Sequence, residues 1–152
     1  MKHKLWLVFS LILVLAATAF FVVRSAEDKV SDRMLSQADR LAIPGDWKLT
    51  RETVRPERFM CISTNPCPSL HRTWETGKEL TEDDITAVFS GVRFRMKADR
   101  PCERRSNVIG KSPICASRGS DGEFEYLFTV WSPGPGEPQL VVLNVEPDYV
   151  PD

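Results

Sequence analysis

Leu5–Val23, LWLVFSLILVLAATAFFVV, is a run of nineteen residues without a charge, a proline or a glycine. At about 1.5 Å per residue, a helix of that length measures roughly 28 Å, close to the ~30 Å hydrocarbon thickness of a bilayer. Every backbone N–H and C=O in such a run must be satisfied within the segment, which restricts it to a helix. Ser10 and Thr18 can return their hydroxyls to the helix backbone, and Trp6 suits an interfacial ring. The reading is a transmembrane signal-anchor helix over 5–23, with the lipid bilayer as its partner, preceded by a short basic tail over 1–4.

A cleavable signal peptide is the rival reading, and it would release a secreted domain. Ala17-Thr18-Ala19 has the small-x-small pattern, but cleavage there leaves Phe20-Phe21-Val22-Val23 as an exposed apolar end. A site after Ala26 puts Arg24 where a small residue is wanted. The uncut anchor is therefore favoured. The first cysteine is Cys61, so attachment through a lipidated cysteine next to the run is excluded.

Flanking charge does not orient the span. Lys2, Lys4 and the α-amino group precede it, while Arg24, Lys29, Arg33 and Arg40 follow within about 20 residues. The cysteines break the tie. Cys61, Cys67, Cys102 and Cys115 form an even set behind an export-like segment, the usual sign of disulfides in an oxidising compartment. Cys61–Cys67 and Cys102–Cys115 are the favoured pairs, because each closes a short segment rich in turn residues. Their gaps are too long for the paired ligands of structural zinc. The expected location is the cell membrane, single-pass, with the C-terminal domain outside the cytoplasm.

The rest of the chain has room for one ordinary domain. Of the 152 residues, 42% are hydrophobic and 27% charged, as in a folded protein. Charge is segregated along the chain. Residues 25–91 carry 9 Lys/Arg against 12 Asp/Glu, residues 92–118 carry 8 against 2, and residues 119–152 carry 7 acids and no base. The formal net charge of the whole is −1, which advertises no nucleic-acid binding.

Val30, Met34, Ala38 and Leu41 share one face before Pro44-Gly45, so residues 24–45 read as a stalk or linker helix, with Ser25 as its cap. Strand-like patterning begins at Trp47. Trp47–Val54 and Arg58–Ser63 are expected to form a hairpin. Thr81 caps a helix around Asp83–Ser90, with acids in its first turn and Ile85, Val88 and Phe89 as its apolar stripe.

Val92–Ala98 alternates: Val92, Phe94, Met96 and Ala98 on one face, Arg93, Arg95 and Lys97 on the other. With Arg100 nearby, the outer face is a candidate contact for lipid headgroups or another anionic polymer. The competing reading is a solvated face partly neutralised by Glu123 and Glu125 across a sheet. Ser120-Asp121-Gly122 marks a turn, Phe124–Trp131 an aromatic strand and Gln139–Val145 the last strand. The tail over 147–152 is expected to be flexible.

The fold class expected is α+β: a membrane helix, a short stalk helix, and an extracytoplasmic domain over 46–146. That domain has five or six mostly antiparallel strands, one main helix and disulfide staples.

No motif names a reaction. Gly110-Lys111-Ser112 resembles the end of a phosphate-binding loop, but position 105 is Arg where the upstream glycine belongs. The chain has no HExxH, GxSxG or GxGxxG pattern, and neither a cofactor nor a metal is implied. Two functions are carried forward. One is a non-catalytic accessory or binding module at the outer face of a membrane, whose partner is another membrane or envelope protein. The other is a small extracytoplasmic hydrolase or thiol-redox enzyme using His71 with acidic neighbours, or a labile Cys61–Cys67 pair. Asp83 and Asp84 as an acid/base pair are weaker candidates, since helix starts attract acids anyway. The oligomeric state is not legible.

Overall fold

The computed structural model describes residues 2–58, 67–102, 110–132 and 137–148. The chain is α+β. A long N-terminal helix, α1 (Lys2–Ala38), leads into β1 (Lys48–Arg55) and β2 (Ser69–Glu75). Helix α2 (Glu82–Val88) and a 3₁₀ turn (Phe89–Gly91) follow, then β3 (Lys97–Ala98), β4 (Ser112–Ser120), β5 (Phe124–Ser132) and β6 (Leu140–Pro147). The six strands form one sheet in the order β1-β2-β6-β5-β4-β3, with every neighbouring pair antiparallel.

The apolar run and the segment after it are one helix. No glycine or proline occurs before Pro44, so nothing interrupts the backbone ladder at Ser25. Arg24 instead pairs with Glu27 and Asp28 at 3.8 and 3.6 Å, an (i, i+3) and (i, i+4) set on the surface of a continuous helix. Within Phe9–Ala38 an 18-residue window has mean hydropathy 2.1, and none of it is buried. By length and composition this stretch is able to cross a membrane or to serve as a signal sequence.

Beyond Arg24 the helix changes partner. Met34 and Ala38 are buried, Val30 and Leu35 pack beside them, and all join the domain core. That core lies on one face of the sheet. Leu70 and Trp74 come from β2, Val141, Leu143 and Val145 from β6, and Phe124, Tyr126, Phe128 and Val130 from β5. Alternate residues point one way because the strand period is two. Ile85 and Val88 of α2, with Phe89, close the other side. Phe128 is the hub: Trp47 stacks on it with centroids 6.3 Å apart, and Phe89 meets it edge-on at 5.0 Å. Arg72 shares the core-facing side with Leu70 and Trp74, and its guanidinium reaches Asp39 and Glu52 at 2.6 Å each. One side chain thereby ties the end of α1 to the outer strand.

β1 pairs with β2; the second strand of the hairpin expected over Arg58–Ser63 falls almost wholly on residues 59–66, which lie outside the described residues. One local expectation differs from the structure. The alternating stretch Val92–Ala98 makes ladder pairs only at Lys97–Ala98, opposite Arg118 and Ser117. Its alternation survives as burial: Val92, Phe94 and Met96 pack against the core, while Arg93 and Arg95 are exposed. Ala98, expected on the inner face, is exposed. The ladder stops at Lys97↔Arg118 although β4 continues to Ser120. Gly122, at φ +90°, gives the β4–β5 hairpin the left-handed residue it needs.

Cys102 and Cys115 form a disulfide with Cα atoms 5.0 Å apart, as expected from the sequence. Cys67 is also disulfide-bonded. The expected partner, Cys61, lies outside the described residues.

Candidate functional site

The most distinctive surface is the cationic edge around β3, and it is built from the inside out. Phe94 stacks on Tyr126 with centroids 4.5 Å apart. The Tyr126 hydroxyl donates to Asp121 Oδ2 at 2.7 Å, and Asp121 Oδ1 accepts from the Glu123 and Phe124 amides at 2.9 and 2.8 Å. Burial, reinforced by the hydrogen bond to Asp121, pushes the Tyr126 phenol far above its ordinary range. It therefore stays a neutral donor at any physiological pH.

Gly119 makes the close approach of this segment feasible. A Cβ there would stand 2.6 Å from Met96 Sδ and 2.7 Å from the Arg95 carbonyl oxygen. At the far end, Asp99 Oδ1 accepts from the Ala116 amide at 2.8 Å, and the disulfide fixes Cys102 to β4. The Ala116 amide, then the Arg100 guanidinium, hold the Asp99 carboxyl below the usual carboxylate range.

With the apolar side chains turned inward, Arg93, Arg95 and Lys97 are left exposed. Among the described residues none of the three has an ion-pair partner. Arg100 is also exposed but pairs with its neighbour Asp99 at 3.0 Å. The acids expected to neutralise this face are engaged elsewhere: Glu123 takes Arg33 at 2.7 Å, and Glu125 takes Arg118 at 3.1 Å. Next to the edge, Ile85, Phe89, Phe94 and Met96 line a pocket of about 380 Å³, with Glu82 and Arg95 also on its wall.

The catalytic candidates are held by structural contacts. His71 lies on the sheet face away from the core, with Nδ1 2.7 Å from Asn144 Oδ1 and Nε2 3.2 Å from Thr73 Oγ1. If Nδ1–H donates to Asn144, Nε2 accepts from the Thr73 hydroxyl, so both ring nitrogens have a neutral partner. Asp84 closes the capping box of α2: its carboxylate accepts from the Thr81 amide at 2.9 Å, and its own amide donates to Thr81 Oγ1 at 3.2 Å. The Lys78 ammonium at 2.5 Å, with the Thr81 bonds, lowers the Asp84 carboxyl to about 2. Asp83 belongs to the same first turn. No group of three or more His, Cys, Asp or Glu side chains suited to a metal occurs among the described residues.

Sequence reasoning missed the open face of the sheet. Around His71, the half-buried side chains of Leu127, Trp131, Leu140 and Val142 form a shallow depression of about 610 Å³, and Lys111 Nζ lies 5.4 Å from the Trp131 ring centroid. Its signal was present as alternate residues on β5 and β6, but alternation alone does not say which face a helix covers. No protein-family model, curated protein or solved structure matches the chain.

Proposed function

We propose that this chain is a single-pass membrane-anchored protein whose domain stands outside the cytoplasm as a non-catalytic binding module. The observation that carries the reading is the division of α1. Its C-terminal half supplies Met34 and Ala38 to the core, while Phe9, Leu11–Leu15 and Phe20–Val23 project without cover. A continuous apolar surface of that extent is unfavourable in water and favourable in hydrocarbon. In this reading residues 5–23 cross the bilayer, the remainder of α1 is a rigid stand, and the domain follows it.

The disulfide between Cys102 and Cys115 supports an oxidising compartment, hence the outer side. The occupied nitrogens of His71 and the capping role of Asp84 support binding rather than catalysis. The partners are the bilayer, through residues 5–23, and a component of the envelope met by the domain surface.

The test is alkaline carbonate extraction and protease access on intact cells, joined to an unreduced intact mass. The expected result is a full-length chain in the membrane pellet, with the domain digested from outside. Recovery in the soluble fraction, or protection of the domain in intact cells, would overturn the proposal. A mass that begins after Ala19 would favour the secreted alternative.

A further inference from the structure

We infer that the depression on the open face of the sheet, between Arg51 and Trp131, binds an unbranched acyl carboxylate: a linear hydrocarbon chain ending in one carboxyl group. The inference rests on the reading of the domain as a binding module and gives that module a ligand class. The first observation is shape. Arg51, Thr73, Val142 and Thr129 stand opposite one another in a row across β1, β2, β6 and β5. The last three are short, and Thr129 is buried. Longer side chains fill the rows on either side, Leu140 and Trp131 on one and His71, Asn144 and Leu127 on the other. All of them line the same depression of about 610 Å³. A low row between two higher ones is a trough that crosses the strands. At about 4.8 Å per strand its floor extends for roughly 14 Å, which suits a linear chain.

The second observation is a gradient of polarity along the trough. The half built by β5 and β6 is mostly apolar, with Leu127, Trp131, Leu140 and Val142 all half-buried, and covering it from water favours a hydrocarbon. The half built by β1 and β2 is polar and ends at Arg51. His71 spends its two ring nitrogens on Asn144 and Thr73, so that wall is satisfied internally. The β1 register shifts between Leu49 and Arg51, and the extra residue, Thr50, joins Arg51 on the wall. Among the described residues Arg51 has no ion-pair partner, and none of those on the wall is Asp or Glu. Glu52 is bound to Arg72, and Glu75 stands opposite Lys48.

The third observation is charge, which decides the occupant. One guanidinium matches a singly charged, planar carboxylate, held through two parallel N–H···O bonds. The other cation, Lys111, sits at the opposite end with its ammonium 5.4 Å from the Trp131 ring centroid, where it closes the apolar half. A second copy of the chain seated face to face would set these two cations against the same two cations.

The test uses the purified full-length protein in nanodiscs of neutral lipid. Equilibrium dialysis of radiolabelled decanoate is read against protein-free nanodiscs, which subtracts partitioning into lipid. The expected result is saturable binding. Octanoate competes less well than decanoate and dodecanoate better, by about fourfold or more for each two-carbon step. Decanol competes at least about fivefold less well than decanoate. Arg51→Gln weakens binding about three- to tenfold. Leu140→Thr weakens it about threefold, and Val142→Trp, which fills the floor, abolishes it. Lys29→Gln and Lys111→Gln change it less than about twofold. Thermal melts identify the variants that keep the fold, and Leu140→Thr carries the test of the trough should Val142→Trp not fold.

Absence of saturable binding, equal competition by decanol, or stronger competition by decyl phosphate overturns the inference. So does a larger loss from Lys111→Gln than from Arg51→Gln, or an unaltered affinity in the folded trough variants. None of these outcomes touches the tether, which the extraction and protease-access tests read separately. Chemical conversion of the bound decanoate would overturn the binding-module reading itself.

Discussion

Met34→Ala tests whether the distal half of α1 belongs to the domain. Met34 is fully buried among core side chains although it lies on the same helix as the uncovered apolar run. Truncation removes Cγ, Sδ and Cε. At about 0.8 kcal/mol per buried methylene-sized group, the transfer loss is about 2.4 kcal/mol. The vacated space adds to this, since a helix anchored on both sides by Arg33–Glu123 and Arg72–Asp39 cannot collapse freely into it. The expected loss is about 2.5–4 kcal/mol, a substantial share of the 5–15 kcal/mol typical of a single domain. Urea denaturation of the full-length protein in neutral detergent, followed by tryptophan fluorescence, reads it out through Trp47, Trp74 and Trp131. Leu13→Ala, on the uncovered part of α1, is the control and should shift the midpoint by no more than about 0.5 kcal/mol. A Met34→Ala change as small as the control would refute the packing of α1 on the sheet.

Gly119→Ala should destabilise the domain by about 1–3 kcal/mol, since the new Cβ collides with the Arg95 carbonyl; Gly77→Ala, with open space around it, should be near neutral in the same thermal melts. Replacing Cys102 and Cys115 by Ala should cost roughly 3 kcal/mol on the loop-entropy model, and mild reductant should reproduce much of the loss in the wild type. The Asp84 carboxyl titrates lower in the folded state than its ordinary 3.8, so its stabilisation is fully present above about pH 4 and is lost as the pH falls towards about 2. Asp84→Asn should flatten that limb of the stability–pH curve, and Lys78→Met should move it to higher pH, because the ammonium is the largest cause of the shift.

The elements that were legible in advance are those whose signal is local. The cap at Thr81 with acids directly after it needs only neighbouring residues, and α2 begins directly after Thr81. Asp121-Gly122 marks the hairpin because glycine adopts, without steric cost, the left-handed conformation that the turn needs. Cys102 and Cys115 close a short loop, so their pairing is a local matter too. The reading weakened wherever the outcome depended on a distant partner. Val92–Ala98 alternates like a full strand, yet its ladder to β4 covers only Lys97 and Ala98. Arg72 has the sequence context of any surface arginine, and only packing brings it to Asp39 and Glu52.

By itself, then, the sequence determined that the chain carries a helix able to cross a membrane, an α+β domain and at least one disulfide. Each follows from hydropathy, period or spacing within a short window. Tertiary structure decided that the apolar helix and the stalk are one element with two environments, because Met34 and Ala38 find the sheet while Phe9–Val23 does not. It also decided that, among the described residues, Arg93, Arg95 and Lys97 have no ion-pair partner. Glu123 and Glu125 were expected across the sheet from them, but Arg33 on α1 and Arg118 on β4 reach those carboxylates. Which cation takes which acid is a question of distance in space, and no local pattern carries that information.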